Sequence, residues 1–221
     1  VALCPNLKWL TWVGTTLSQA MTLLSPDIFE RLRRLFVKVD SLGPGLQFPS
    51  GLTEMNLRVR KERINCDLLH PLTQLRSLIL KVKQEMPPLD FSGFVSLTDF
   101  DAFKCPVSRL PTCLVDLSIT LSSDFDLSPI TRLTFIAIRF KSNVRLTFPV
   151  QLKHLIICEG ELGESNIKDV ALEIFDTRSG HPLTLKKLKK LPKTLREFHA
   201  NCEQPSLRNR LPILFPRLSK W

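Results

Sequence analysis

The stretch "LPTCLVDLSITL", Leu110 to Leu121, places apolar side chains at Leu114, Leu117, Ile119 and Leu121, with Pro111 three residues ahead of Leu114. Alternation of this kind suits a strand with one buried face. The fold depends on whether the strand stands alone or is one copy of a repeat. Aligned on leucine-x-x-apolar-x-apolar, the same phrase occurs as "LKWLTW" from Leu7, "LRRLFV" from Leu32, "LTEMNL" from Leu52 and "LRSLIL" from Leu75. It continues as "LTDFDA" from Leu97, "LVDLSI" from Leu114, "LTFIAI" from Leu133 and "LKHLII" from Leu152. "LEIFDT" from Leu172, "LREFHA" from Leu195 and a shortened "LSKW" from Leu218 close the series. Successive starts lie 17–25 residues apart along the whole chain. Chance apolar hexamers do not keep such an interval, so the stretch is one copy among about eleven.

Proline marks the same corner of each copy. Pro49, Pro111, Pro149 and Pro192 lie three residues before their first leucine, and Pro5, Pro71, Pro129 and Pro216 lie two or four before. A fixed φ and a missing donor suit the entry of a strand and damage its centre. Parallel strands are therefore predicted near 9–12, 34–37, 54–57, 77–80, 99–102, 116–119, 135–138, 154–157, 174–177 and 197–200. The copy from Leu172 also admits a shifted register, because "VALEIFDT" has two apolar phases. Between strands there is room for extended or 3₁₀ returns. "TTLSQAMTLLSPDIFERLRRL", from Thr15, is the best helical candidate, with Leu17, Met21 and Leu24 packing on the convex side.

"LCPNLKWLTW" resembles the C-P-x-L-x-x-L-x-L phrase of leucine-rich repeats in F-box/LRR proteins. "LPTCLVDL", "LPKTLREF", "FPSGLTEM" and "FPVQLKHL" resemble irregular LRR and FNIP-type repeats. The resemblance covers essentially the whole chain. It implies an α/β leucine-rich-repeat solenoid over residues 1–221, curved, with a parallel β-sheet on the concave side and short 3₁₀, helical or extended returns on the convex side. The Asn or Cys usual eight positions after the first leucine is met only by Cys105, so the coil is expected to be irregular. No F-box is visible. The lack of a polar capping phrase at either end predicts a segment excised from a longer chain, prone to poor solubility or end-to-end association.

Strand alternation assigns the concave surface. Leu114, Leu117 and Ile119 point inward, and Val115, Asp116, Ser118 and Thr120 outward. The sixth position after each first leucine runs Val13, Lys38, Arg58, Lys81, Phe103, Thr120, Arg139, Cys158, Arg178 and Asn201, with five cations and no acid. Asp99, Asp101 and Asp116 change the sign near the middle, while Trp9, Arg33, Arg34 and Phe36 enrich the early repeats. Exposed aromatic and arginine side chains are common interface anchors. The partner-binding residues expected are thus Trp9, Arg34, Phe36, Lys38, Arg58, Lys81, Arg139 and Arg178, facing an acidic protein segment. The alternative for the same row is a solvated edge.

A net charge of +10 also admits a nucleic-acid-binding basic solenoid as the second reading. "LKKLKKLPKTL", Leu185 to Leu195, holds five lysines but reads better as a solvated turn whose leucines face the core. It lacks the aromatics that stack single-stranded bases. The six cysteines form no C-x-x-C, the four histidines complete no metal-ligand spacing, and no phosphate-cradling glycine loop occurs. The seven asparagines all fail the glycosylation pattern. An extracellular recognition ectodomain, the third reading, is disfavoured on these grounds. No run approaches the roughly 18 apolar residues of a membrane span. The sequence reads as a non-enzymatic, intracellular protein-interaction module without metal or cofactor. The resemblance adds the role of substrate recruitment in a ubiquitin-ligase adaptor.

Overall fold

Most repeats enter their strands through the same turn. The amide of the first leucine donates to the carbonyl three residues earlier: Leu32 to Phe29, Leu52 to Pro49, Leu75 to Leu72, Leu97 to Phe94, Leu133 to Ile130, Leu152 to Pro149 and Leu218 to Phe215. Pro49, Pro111, Pro149 and Pro192 are buried at this corner, where no amide is needed. The residue after the leucine then joins one coil to the next. Thr53, Arg76, Thr98, Thr134, Lys153, Glu173, Arg196 and Ser219 each donate a backbone amide to the carbonyl of the same position one coil earlier. Where that residue bears a hydroxyl, it reinforces the rung. Thr53 Oγ1 donates to the Arg33 carbonyl at 3.1 Å, Thr98 Oγ1 to Arg76 at 3.2 Å and Ser219 Oγ to Arg196 at 3.1 Å.

The computed structural model describes residues 6–84, 86–140, 144–160, 162–177, 188–200 and 210–220. The chain divides into two compact units, Val1–Leu114 and Val115–Trp221. Both are parallel β-solenoid with little helix. In the first, β1 (Trp9–Val13), β2 (Arg34–Val39), β3 (Glu54–Val59), β4 (Ser77–Val82) and β6 (Asp99–Phe103) pair in that order. β5 (Leu89–Asp90) and β7 (Val107–Arg109) pair in the returns. In the second unit, β8 (Asp116–Leu121), β10 (Phe135–Phe140), β12 (His154–Glu159), β14 (Ile174–Thr177) and β15 (Glu197–Ala200) pair in order. β9 (Phe125–Asp126), β11 (Val144–Thr147) and β13 (Leu162–Ser165) form a parallel return sheet. The expected strand positions are all met. Ile136 lies opposite Leu117 in a parallel pair, and Lys220 makes an isolated bridge to Glu197 that continues the series.

Packing explains the register. Leu114, Leu117 and Ile119 are buried, as are Leu78, Leu80, Ile136 and Ile138, so the period of two puts one apolar row inside each of these strands. The shifted phase of the Leu172 copy is not used: Leu172, Phe175 and Thr177 are buried and Ile174 is half-buried. The returns differ from the helical expectation. The stretch from Thr15 forms two short helices, α1 (Leu17–Met21) and α2 (Pro26–Arg31), interrupted at Ser25. Pro26 disfavours helical backbone in the preceding residue, and Ser25 is extended. Of the lysine-rich stretch, Leu188, Leu191 and Leu195 are buried while Lys189, Lys190 and Lys193 are exposed.

One return is fixed by an asparagine. Asn166 Oδ1 accepts from the Phe148 amide at 2.7 Å, and its Nδ2 donates to the Phe148 carbonyl at 2.9 Å. Another depends on glycine. Gly160 has φ +82°, and a Cβ there would meet Phe140 Cβ at 2.7 Å and the Phe140 carbonyl oxygen at 2.8 Å. Gly160→Ala is therefore expected to lose roughly 1–3 kcal/mol in urea unfolding. An unchanged midpoint would show that the left-handed turn is dispensable.

Candidate functional site

The outward positions of the first unit form three rows, because its main strands β1, β2, β3, β4 and β6 pair without a shift. The first row is Trp9, Arg34, Glu54, Ser77 and Asp99. The middle row is Thr11, Phe36, Asn56, Ile79 and Asp101. In the third, Val13, Lys38, Arg58 and Lys81 are consecutive. Strands about 4.8 Å apart bring the three cations of that row together.

A hollow of about 260 Å³ opens on this face, lined by Trp9, Arg34, Phe36, Glu54, Asn56 and Ile79 among others. Trp9 is 65% exposed on the outermost strand. Phe36 is half-buried in the floor. Arg34 Nη2 pairs with Glu54 Oε1 at 3.1 Å, so one rim of the hollow is close to neutral. The row next to it is cationic. Arg58 Cζ lies 5.4 Å from the centre of the Phe36 ring, and Arg58 Nε donates to Asn56 Oδ1 at 3.2 Å. The ring face and the amide thus hold the guanidinium beside the hollow. Lys38 is exposed, and Lys81 Nζ lies 3.9 Å from Asp101 Oδ2.

Asp40, two residues beyond Lys38, faces other cations. A hydrogen bond from Lys61 and the charges of Arg60 and Lys61 hold its carboxyl below the usual range, against some desolvation. Arg60 Nε and Lys61 Nζ lie 2.8 and 2.9 Å from its oxygens. Arg33, expected with the early concave residues, instead donates to the Glu30 and Leu32 carbonyls at the strand-entry turn.

The second unit carries a different surface. Arg139 occupies the expected third-row position opposite Thr120. A register shift after Ile138 brings Glu159, and not Cys158, opposite Arg139 on the other side. An acid therefore enters the row that the repeat count reads as acid-free, through one extra residue in β12. Arg178 lies outside the described residues. His154 packs edge-on against Phe135 at 4.8 Å between ring centres, and His199 Nε2 lies 3.6 Å from Glu197 Oε2. A hydrogen bond from Lys220, with His199 adding to it, holds the Glu197 carboxyl below its ordinary range.

The structure thus places Trp9, Arg34 and Phe36 at the hollow, and Lys38, Arg58 and Lys81 in the neighbouring row of the same face, with Arg139 in the other unit. Sequence reasoning passed over Glu54, Asn56 and Ile79. Their outward parity was a signal, but the residues themselves are unremarkable types. Cys105 is buried and Cys113 and Cys158 are half-buried free thiols. Among the described residues no cluster of three His, Cys, Asp or Glu side chains could hold a metal ion, and no helix is long and apolar enough to cross a membrane. No protein-family model matches the chain, and no curated protein matches it.

Proposed function

We propose that this chain is a leucine-rich-repeat interaction module, without enzymatic activity, that holds an acidic segment of a protein partner on the open sheet face of its first unit. The observation that carries the reading is the in-register row Lys38–Arg58–Lys81 beside the hollow lined by Trp9 and Phe36. Cations on adjacent strands raise the local potential and steer an anionic partner, while the aromatic floor gives contact area. The repeat interval and the leucine phrase support the leucine-rich-repeat assignment. The resemblance to F-box/LRR repeats suggests an intracellular setting, in substrate recruitment for a ubiquitin ligase.

A titration against two anionic polymers tests the class of partner. A labelled decaglutamate peptide is expected to bind, with chemical-shift changes in β2, β3 and β4, and a neutral Gly-Ser peptide is not. Tight, steeply salt-dependent binding of a single-stranded oligonucleotide with no response to decaglutamate would favour the nucleic-acid reading and sink this one.

A further inference from the structure

Three features of the first unit's open face share one pitch. Phe36 and Lys38, Asn56 and Arg58, and Ile79 and Lys81 are middle-row and third-row neighbours, each pair two residues apart on its own strand. Two residues of extended backbone span about 6.6 Å with both side chains on one face. An extended peptide laid along these strands has the same spacing in its own alternate side chains. The hollow of about 260 Å³ has room for a leucine-sized side chain, and its floor is partly apolar through Phe36 and Ile79. Its only charged lining residues are Arg34 and Glu54, which pair with each other. That rim does not call for a charged ligand group. The neighbouring cationic row does, and Arg58 is held there by Phe36 and Asn56, which line the hollow.

We infer that the partner segment is an extended peptide carrying an apolar anchor and a carboxylate two residues apart, the anchor seated in the hollow and the carboxylate on Arg58 between Lys38 and Lys81. This rests on the interaction reading above and specifies its ligand. The face fixes the spacing and leaves the chain direction open, so anchor-x-acid and acid-x-anchor orders both satisfy it. Arg58 offers paired donors to the carboxylate, and the lysines on either side add charge without fixing orientation. The anchor adds the burial of one aliphatic side chain.

The test uses the whole chain and fluorescein-labelled peptides in a Gly-Ser frame, read by anisotropy. One contains Leu-Ser-Asp, one Asp-Ser-Leu, one Leu-Asp-Ser with the pair adjacent, and one Ala-Ser-Asp without the anchor. Decaglutamate is run beside them. At least one of the two spaced peptides is expected to bind about tenfold more tightly than the adjacent and anchorless ones. Ser77→Phe, which puts a ring into the hollow from a lining position outside the cationic row, should abolish the leucine advantage while leaving the decaglutamate affinity in place. Arg58→Gln should abolish the preference for the spaced pair. Equal binding of all four short peptides, with decaglutamate still bound at β2–β4, would overturn the anchor-and-spacing inference and leave the broader reading standing. Loss of decaglutamate binding in the unaltered chain would remove both.

Discussion

Replacing Phe198 by alanine is expected to lower stability by about 3–5 kcal/mol, a large share of the roughly 5–15 kcal/mol that holds an ordinary domain folded. Phe198 is 1% exposed and lies between two other buried rings. Its centre is 5.9 Å from that of Phe175 and 6.4 Å from that of Phe215, with interplanar angles of 19° and 18°. The three rings belong to successive coils, at the same repeat position in β14 and β15 and at the strand-entry turn beyond. Truncation opens a cavity that neither neighbour can fill without losing its own contacts. In a stack of coils each repeat is stabilised chiefly by its neighbours, so the damage should be local. Hydrogen exchange should speed up first in β14 and β15 and leave β2–β4 protected. Phe198→Leu should recover a good part of the loss. A cost below about 1 kcal/mol, or uniform loss of protection in β2–β4, would contradict the stacked-core account.

The strands and the returns differ in how much sequence specifies them. A strand such as β8 has three buried apolar positions at a period of two, preceded by a leucine and a buried proline three residues earlier still. That is enough information to place it and to choose between registers. The return strands have little of this. β5 and β9 are two residues long, and their pairing follows from coils already stacked by the main strands. The helix expected from Thr15 onward is split in two ahead of Pro26, where a local backbone rule outweighs apolar spacing. The extra residue in β12 was also hidden, because "HLIICE" contains more apolar positions than one face needs. For the site, repeat position translates directly into sheet row in the first unit, so the cations and aromatics are grouped by the sequence itself. What the sequence did not carry was which charges neutralise one another. Arg34 with Glu54 and Lys81 with Asp101 are choices of side-chain geometry across strands.

Those pairs decide what charge reversal should do. Changing Lys38, Arg58 and Lys81 together to glutamate is expected to slow capture of an acidic partner by roughly 10–10³-fold at low salt, since it replaces an attractive patch with a repulsive one. The difference should shrink as ionic strength rises and the screening length falls to about 8–10 Å. The fold should survive. Each site lies on the outward row, exposed or half-buried, where substitutions usually change stability by less than about 0.5 kcal/mol. Arg58 adds the loss of its contact with Phe36, about 0.5–1 kcal/mol. Lys81→Glu removes a pairing with Asp101 and places like charges together, a further modest cost. A control with Lys153, Lys189 and Lys190 changed to glutamate makes the same change in net charge from exposed sites in the second unit. If the row acts as a site, the control should retain most of the association rate that the triple variant loses. Equal slowing by both would assign steering to net charge alone. An unfolded triple variant would mean that these side chains hold the sheet together and that the assigned outward face is wrong.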